Sequence, residues 1–192
     1  MQDLYIYVDK KKADDCLKYG IKLSEYEDKT LTFADSEKRG INAYLSPKDS
    51  DKYTDESYEC LRVITNNLNI IVYNKLFEKS KLLETYSCDI NSYTIGDYEL
   101  PEAIICSSIL STNLVPYNKI LDKPLVVQNS REFYYEKCIN EIIDTEKISK
   151  YELYQTLLIL GDQKKLYDVE KIENIKFYKD KISGKTYTKK SN

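Results

Sequence analysis

Tyr98-Glu99-Leu100-Pro101-Glu102-Ala103-Ile104-Ile105-Cys106 is the stretch on which the reading of the fold turns. An apolar run rich in β-branched residues follows a proline and predicts a strand over Glu99–Cys106. Its one internal carboxylate, Glu102, stands at the mouth of that run. A polar loop over Ser107–Asn118 leads on to Pro124-Leu125-Val126-Val127-Gln128-Asn129, a second strand entered through a proline.

Upstream, Leu4-Tyr5-Ile6-Tyr7-Val8 predicts a strand. Ala13, Cys16 and Leu17 then share one face of a helix over Lys10–Tyr19, which Gly20 stops. Lys29–Ala34 reads as extended, Asp35–Gly40 as a charged turn, and Ile41–Leu45 as a strand ended by Ser46-Pro47. Tyr58–Ile64 and Asn69–Tyr73 are apolar runs divided by an Asn-Asn turn. Asn74 is placed to cap a helix over Lys75–Glu84. Downstream, Asn129-x-x-Glu132 and Ser149-x-x-Glu152 are capping boxes that open two helices, to about Asp144 and to Leu160. The remainder is rich in lysine, with a hairpin expected around Ser183-Gly184 and disorder in the last few residues. The expectation is an α+β fold. Mixed, mostly antiparallel short-stranded sheets occupy residues 1–128, and residues 129–192 form a C-terminal α-helical hairpin and basic tail packed on the same domain.

The 192 residues suffice for one large domain. At 42% hydrophobic and 32% charged, the chain has material for a packed core. The formal net charge of −3 argues against a protein whose whole surface grips nucleic acid, although Lys176–Lys190 is locally basic. The absence of histidine excludes Ser-His-Asp and Cys-His nucleophilic catalysis. Five scattered cysteines without a Cys-x-x-Cys pair read as reduced thiols, and no metal site is expected. Neither a G-x-G-x-x-G nor a G-x-x-x-x-G-K-[ST] motif occurs. The start lacks a basic region followed by an apolar one, and no apolar run nears the ~18 residues of a membrane span. A cytoplasmic protein is expected.

Glu102 is the first candidate for chemistry. A carboxylate there can hold a sugar hydroxyl or stabilise positive charge developing at an anomeric carbon; it also reads as an exposed strand-end residue. Ser46-Pro47-Lys48-Asp49-Ser50 offers hydroxyls and a lysine to a phosphate or ribose, or is a solvated turn. The three arginines are Arg39 in the charged turn, Arg62 in an apolar run, and Arg131 beside Glu132. Nineteen tyrosines supply rings for stacking or for the core.

Leu4–Asp9 followed by a helix and Tyr19-Gly20-Ile21-Lys22, then Ile41–Pro47, then Leu100–Ile105, resembles the ADP-ribosyltransferase fold. It is distantly similar to the DNA-targeting ADP-ribosyltransferases of toxin–antitoxin systems, over residues ~3–128. The resemblance implies an enzyme that cleaves NAD at the nicotinamide–ribose bond and passes ADP-ribose to a macromolecular acceptor. It implies Glu102 as the catalytic glutamate, Tyr7 at a ring-facing position and Ser46 as the second-strand hydroxyl. With NAD bound, Arg39 or Arg62 would hold the pyrophosphate. The family's first-strand histidine has no counterpart, since Ile6 stands there. The other expectation, which that departure favours, is a non-catalytic immunity, regulatory or phage-encoded factor that meets a protein partner through its helical hairpin.

Overall fold

The computed structural model describes residues 2–33, 36–117, 129–181 and 184–190. It is α+β with antiparallel pairing throughout the described sheets. The chain divides into two compact units, residues 1–137 and 138–192.

In the first unit, β1 (Leu4–Asp9) leads through a short 3-10 turn, capped by the Asp9 side chain, into α1 (Ala13–Tyr19). Gly20 ends α1 at φ 80°, and a Cβ there would come within 2.5 Å of the Ile109 carbonyl oxygen. Glycine is therefore required both by its dihedral and by the approach of a second backbone. A four-residue helix, α2 (Leu23–Tyr26), precedes β2 (Lys29–Phe33) and β3 (Ser36–Ala43). β4 (Tyr58–Val63), β5 (Ile70–Asn74), β6 (Ser87–Asp89), β7 (Pro101–Ile105) and β8 (Leu114–Pro116) follow. They form two sheets, ordered β1-β4-β8 and β2-β3-β7-β5-β6. A bridge between Tyr5 and Tyr44 joins β1 to the end of β3.

The stretch around Glu102 is a central strand. All five residues of β7 are buried, and β3 and β5 pair with it on either side. Side chains alternate between faces. Ala103 and Ile105, with Val72 and Ile70 from β5 and Ala43 and Ile41 from β3, enter the main core shared with Leu4, Ile6, Leu61 and Val63. Burying a side chain such as Ile105 contributes roughly 1.5–3 kcal/mol. Ile104 points the other way, into a smaller cluster with Leu31, Tyr73 and Leu83. Glu102 shares that second face.

Several elements differ from the expectation. The charged segment Ser36–Gly40 is strand, not turn, because β2 pairs with it from Lys29↔Gly40 to Phe33↔Ser36 and its charges face outward. Lys75–Glu84 is not a helix. Asn74 caps only a 3-10 turn over Lys75–Phe77, while Lys75 N–H donates to the Leu100 carbonyl and Asn74 N–H to that of Tyr86. Beyond them the segment runs as successive i→i−3 turns, Glu78 N–H to the Lys75 carbonyl, Ser80 N–H to that of Phe77 and Leu83 N–H to that of Ser80, and Leu76 and Leu82 remain exposed. Part of the expected loop after Cys106 forms β8, paired with β4. The expected strand at Leu125–Val127 lies outside the described residues.

Both capping boxes open helices, α3 (Ser130–Glu146) and α4 (Lys150–Gln163). At the first, Glu132 N–H donates to Asn129 Oδ1 and Asn129 N–H to the Glu132 carboxylate; at the second, Ser149 and Glu152 do the same. On α3, Phe133, Cys138 and Ile143 are half-buried while Ile139 and Ile142 are exposed. In the second unit the lysine-rich tail is a three-stranded antiparallel sheet of β9 (Tyr167–Ile172), β10 (Ile175–Asp180) and β11 (Thr186–Lys190), ordered β11-β10-β9. Gly161 of α4 lies so close to the Tyr167 ring that a Cβ would meet it at 2.3 Å. The expected disorder at Ser191–Asn192 lies outside the described residues. Among the described residues, no helix is long and apolar enough to cross a membrane.

Candidate functional site

Glu102 is not an exposed strand end; it is 5% exposed. Strand pairing sets Tyr73 of β5 directly opposite it, and the Tyr73 hydroxyl donates to Glu102 Oε2 at 2.7 Å. Lys29, from the start of β2, donates to the same oxygen at 3.3 Å and pairs with Glu78 at 3.0 Å. Lys75, just past β5, holds Oε1 in a very short ion pair. Strands β2 and β5 and the turn after β5 thus converge on one carboxylate of β7.

Charge follows from this geometry. Burial pushes the Glu102 carboxyl upward, but hydrogen bonds from Lys75 and Tyr73 and the positive charges of Lys29 and Lys75 outweigh it. The group is held below its usual range and is ionised at neutral pH. The hydrogen bond to Glu102 raises the Lys75 ammonium in turn. Burial, followed by the Glu102 charge, raises the Tyr73 phenol.

Glu102 lies in the wall of a cavity of about 330 Å³, at the lower end of the range for small-ligand sites. Lys48, Lys75 and Arg131 bring positive charge to the wall, and Asp49 and Glu99 negative charge. Asp49 closes the Ser46-Pro47-Lys48-Asp49 turn, accepting from Ser46 N–H at 2.9 Å. It also accepts from Ser130 N–H at 2.8 Å and from the Ser130 hydroxyl at 2.5 Å. Burial dominates there and raises the Asp49 carboxyl against these hydrogen bonds, with the Glu102 charge adding to the rise. The same cavity thus carries two carboxylates displaced in opposite directions, a pattern suited to distinct roles. Across from Asp49, Arg131 donates to Glu99 at 2.6 Å and the Tyr135 hydroxyl donates to the same carboxylate oxygen at 2.9 Å. The start of α3 is thereby fixed as one side of the cavity.

The residues singled out in the sequence are placed unevenly. Ser46 and Tyr7 meet at the Ser-Pro turn. Ser46 is buried and its hydroxyl accepts from Lys48 N–H at 3.3 Å. Tyr7 donates to the Pro47 carbonyl at 2.6 Å and sets its ring edge-on to Tyr44. Neither lines the cavity; they support the turn that supplies Lys48 and Asp49. Arg39 is exposed on β3, 3.7 Å from Glu37, and Arg62 on β4 is 3.6 Å from Asp3; neither lines the cavity. Its arginine is Arg131, and its other cations are Lys48 and Lys75. Tyr73, Lys29 and Lys75 carry no motif. The register of β5 against β7 reveals Tyr73, the turn after β5 brings Lys75, and the pairing of β2 with β3 brings Lys29.

The five cysteines are free thiols. Among the described residues, no group of three or more Cys, Asp or Glu side chains is arranged to hold a metal ion. Comparison with protein-family models, with curated proteins and with solved structures gave no match.

Proposed function

We propose that the first unit is an ADP-ribosyltransferase-like domain, acting in the cytoplasm, in which Glu102 promotes transfer of ADP-ribose from NAD to a macromolecular acceptor. One observation carries the reading: a buried, ionised carboxylate stands in a cavity wall beside the Ser46–Asp49 turn. In such a transfer the ribose C1′–nitrogen bond breaks and neutral nicotinamide leaves with the electron pair. Positive charge grows on the ribose, and a fixed carboxylate in a water-poor site stabilises it. The acceptor forms the new bond to C1′ and releases its proton to solvent. Lys48 and Arg131 line the cavity, whereas Arg39 and Arg62 do not, so on this reading the first two would meet the pyrophosphate. NAD labelled in its adenylate portion tests this. Wild type releases nicotinamide and labels a target, and Glu102→Gln lowers the rate by about 10²-fold or more. No release and no NAD-induced rise in melting temperature would sink the enzyme reading. Unchanged activity in Glu102→Gln would sink the assignment of the site.

A second reading has its own observation. Both oxygens of Glu102 are already engaged, by Lys75 on one side and by Tyr73 and Lys29 on the other. A self-sufficient ion cluster suits a non-catalytic binding protein that meets a protein partner. On that reading Glu102→Gln changes stability alone, and NAD has no effect on either protein.

A further inference from the structure

In the first unit the sheet edges are β1, β8, β6 and β2. Tyr44 exchanges backbone hydrogen bonds with Tyr5 and so covers β1, and β8 and β6 are three residues each. β2 is a five-residue edge without proline. Its backbone direction follows from β3. Asp28 N–H donates to the Gly40 carbonyl and Asn42 N–H to Asp28 Oδ1, so Gly40 and Asn42 turn their backbone groups towards β2. Alternation along the ladder gives Lys38 and Ser36 the same direction. Leu31 and Phe33 then bond back to β3, and the N–H and C=O of Thr30 and Thr32 point out of the sheet. Among the described residues, these outward groups have no partner. The edge of β11 is treated differently, since the Tyr154 hydroxyl covers both the carbonyl and the N–H of Thr188. An open edge is a template for one more strand.

A groove of about 720 Å³ follows that edge. Thr30, Thr32 and Phe33 form one side, and the turns of Glu78–Glu84 form the other. Leu83 packs with Leu31 in one buried cluster, which anchors those turns beside the strand. The charge of the groove is selective. Glu78 is neutralised by Lys29 at 3.0 Å, and Glu84 is engaged as well. Lys79 and Lys81 are exposed and, among the described residues, have no ion-pair partner. The uncompensated charge along the groove is therefore positive. An incoming strand meets the outward groups of Thr30 and Thr32, and an acidic one also meets the two lysines. A second copy pairing β2 with β2 fits less well, because it would bring its own Lys79 and Lys81 against the first pair.

We propose that the outer edge of β2 binds an extended acidic peptide segment of a protein partner, which adds as a sixth strand between Thr30–Thr32 and the Glu78–Glu84 turns. This goes beyond the Glu102 reading and does not depend on it, since the test contains no NAD. The probe is a fluorescein-labelled peptide of alternating valine and glutamate, followed by anisotropy on the full chain. Its twin, with lysine for every glutamate, reads the charge preference. Wild type binds the glutamate peptide at least about 10-fold more tightly than the lysine one, as two exposed ion pairs of up to ~5-fold each allow. Thr32→Pro removes only an N–H that faces away from β3, which an edge strand tolerates, and weakens binding of the glutamate peptide by about 10-fold or more. Circular dichroism checks its fold. If the proline variant does not fold, Lys79→Glu/Lys81→Glu, at two exposed positions, decides instead by reversing the preference between the peptides. No binding of the glutamate peptide at 1 mM overturns the proposal. So does unchanged binding in a folded Thr32→Pro, or an unchanged preference in Lys79→Glu/Lys81→Glu. A dimer in light scattering that Thr32→Pro dissolves assigns the edge to a second copy and overturns it too.

Discussion

Replacing Glu102 by glutamine keeps the side chain's shape and removes its charge, so it isolates what the ion cluster contributes. The loss divides among three partners. Tyr73 keeps an acceptor in the amide oxygen. Lys75 is 53% exposed at its side chain and can turn to water, so its pair counts as a surface bridge, at most ~1 kcal/mol. Lys29 is 16% exposed and keeps Glu78 at 3.0 Å, so it loses one charged hydrogen bond of ~1.5–2 kcal/mol without being stranded. The expected destabilisation is about 2–3 kcal/mol at pH 7, less than the ~3–5 kcal/mol of an ion pair broken with no alternative partner. Its pH dependence has a definite sign. The folded pKa of Glu102 lies below its unfolded value of ~4.3, so its contribution is complete above that value and is lost as pH falls through the folded pKa. Glutamine does not titrate, so the gap between the proteins narrows to under ~1 kcal/mol once both carry a neutral side chain. Because the chain has two units, urea unfolding is best followed at the Ile104 and Ile105 amides by hydrogen exchange at pH 7 and in strong acid. A penalty that is equal or larger in acid, or none at pH 7, would refute the account of the cluster.

Asp49→Asn runs the other way. The folded pKa of Asp49 is raised, so wild-type stability declines as pH climbs from its unfolded value of ~3.9 through the folded one. The variant lacks this decline, so its deficit of about 1–2 kcal/mol from weakened bonds to Ser130 and Ser46 is largest in acid and shrinks towards neutrality in the same unfolding measurement. Gly40→Ala would place a Cβ 2.5 Å from Ile104 and 2.6 Å from the Ile105 carbonyl oxygen. Pushing β3 from β7 should cost about 1–3 kcal/mol in urea unfolding, and a neutral result would show that the strands can separate there without strain.

What the sequence determined by itself is local. Leu4–Val8 and Ile104-Ile105 are dense in β-formers, Gly20 can take the backbone that ends α1, and the Asn129/Glu132 and Ser149/Glu152 boxes satisfy helix donors within four residues. Each signal is complete in a short window, so each could be read without partners. Ser36–Gly40 and β8 have weak local preference and become strand through neighbours supplied from elsewhere, whereas β10 and β11 pair where a hairpin was expected around Ser183-Gly184 and β9 joins them. Lys75–Glu84 shows the converse, a segment with helical composition that forms successive tight turns and leaves Leu76 and Leu82 exposed. The tertiary structure also decided the nature of the site. Sequence gave Glu102 a strand and a proline but could not say whether it was exposed. The register of β5 on β7 set Tyr73 opposite it, the turn after β5 brought Lys75, and the pairing of β2 with β3 brought Lys29. Those partners keep a buried carboxylate ionised, and they are assembled only when strands far apart in the chain come together.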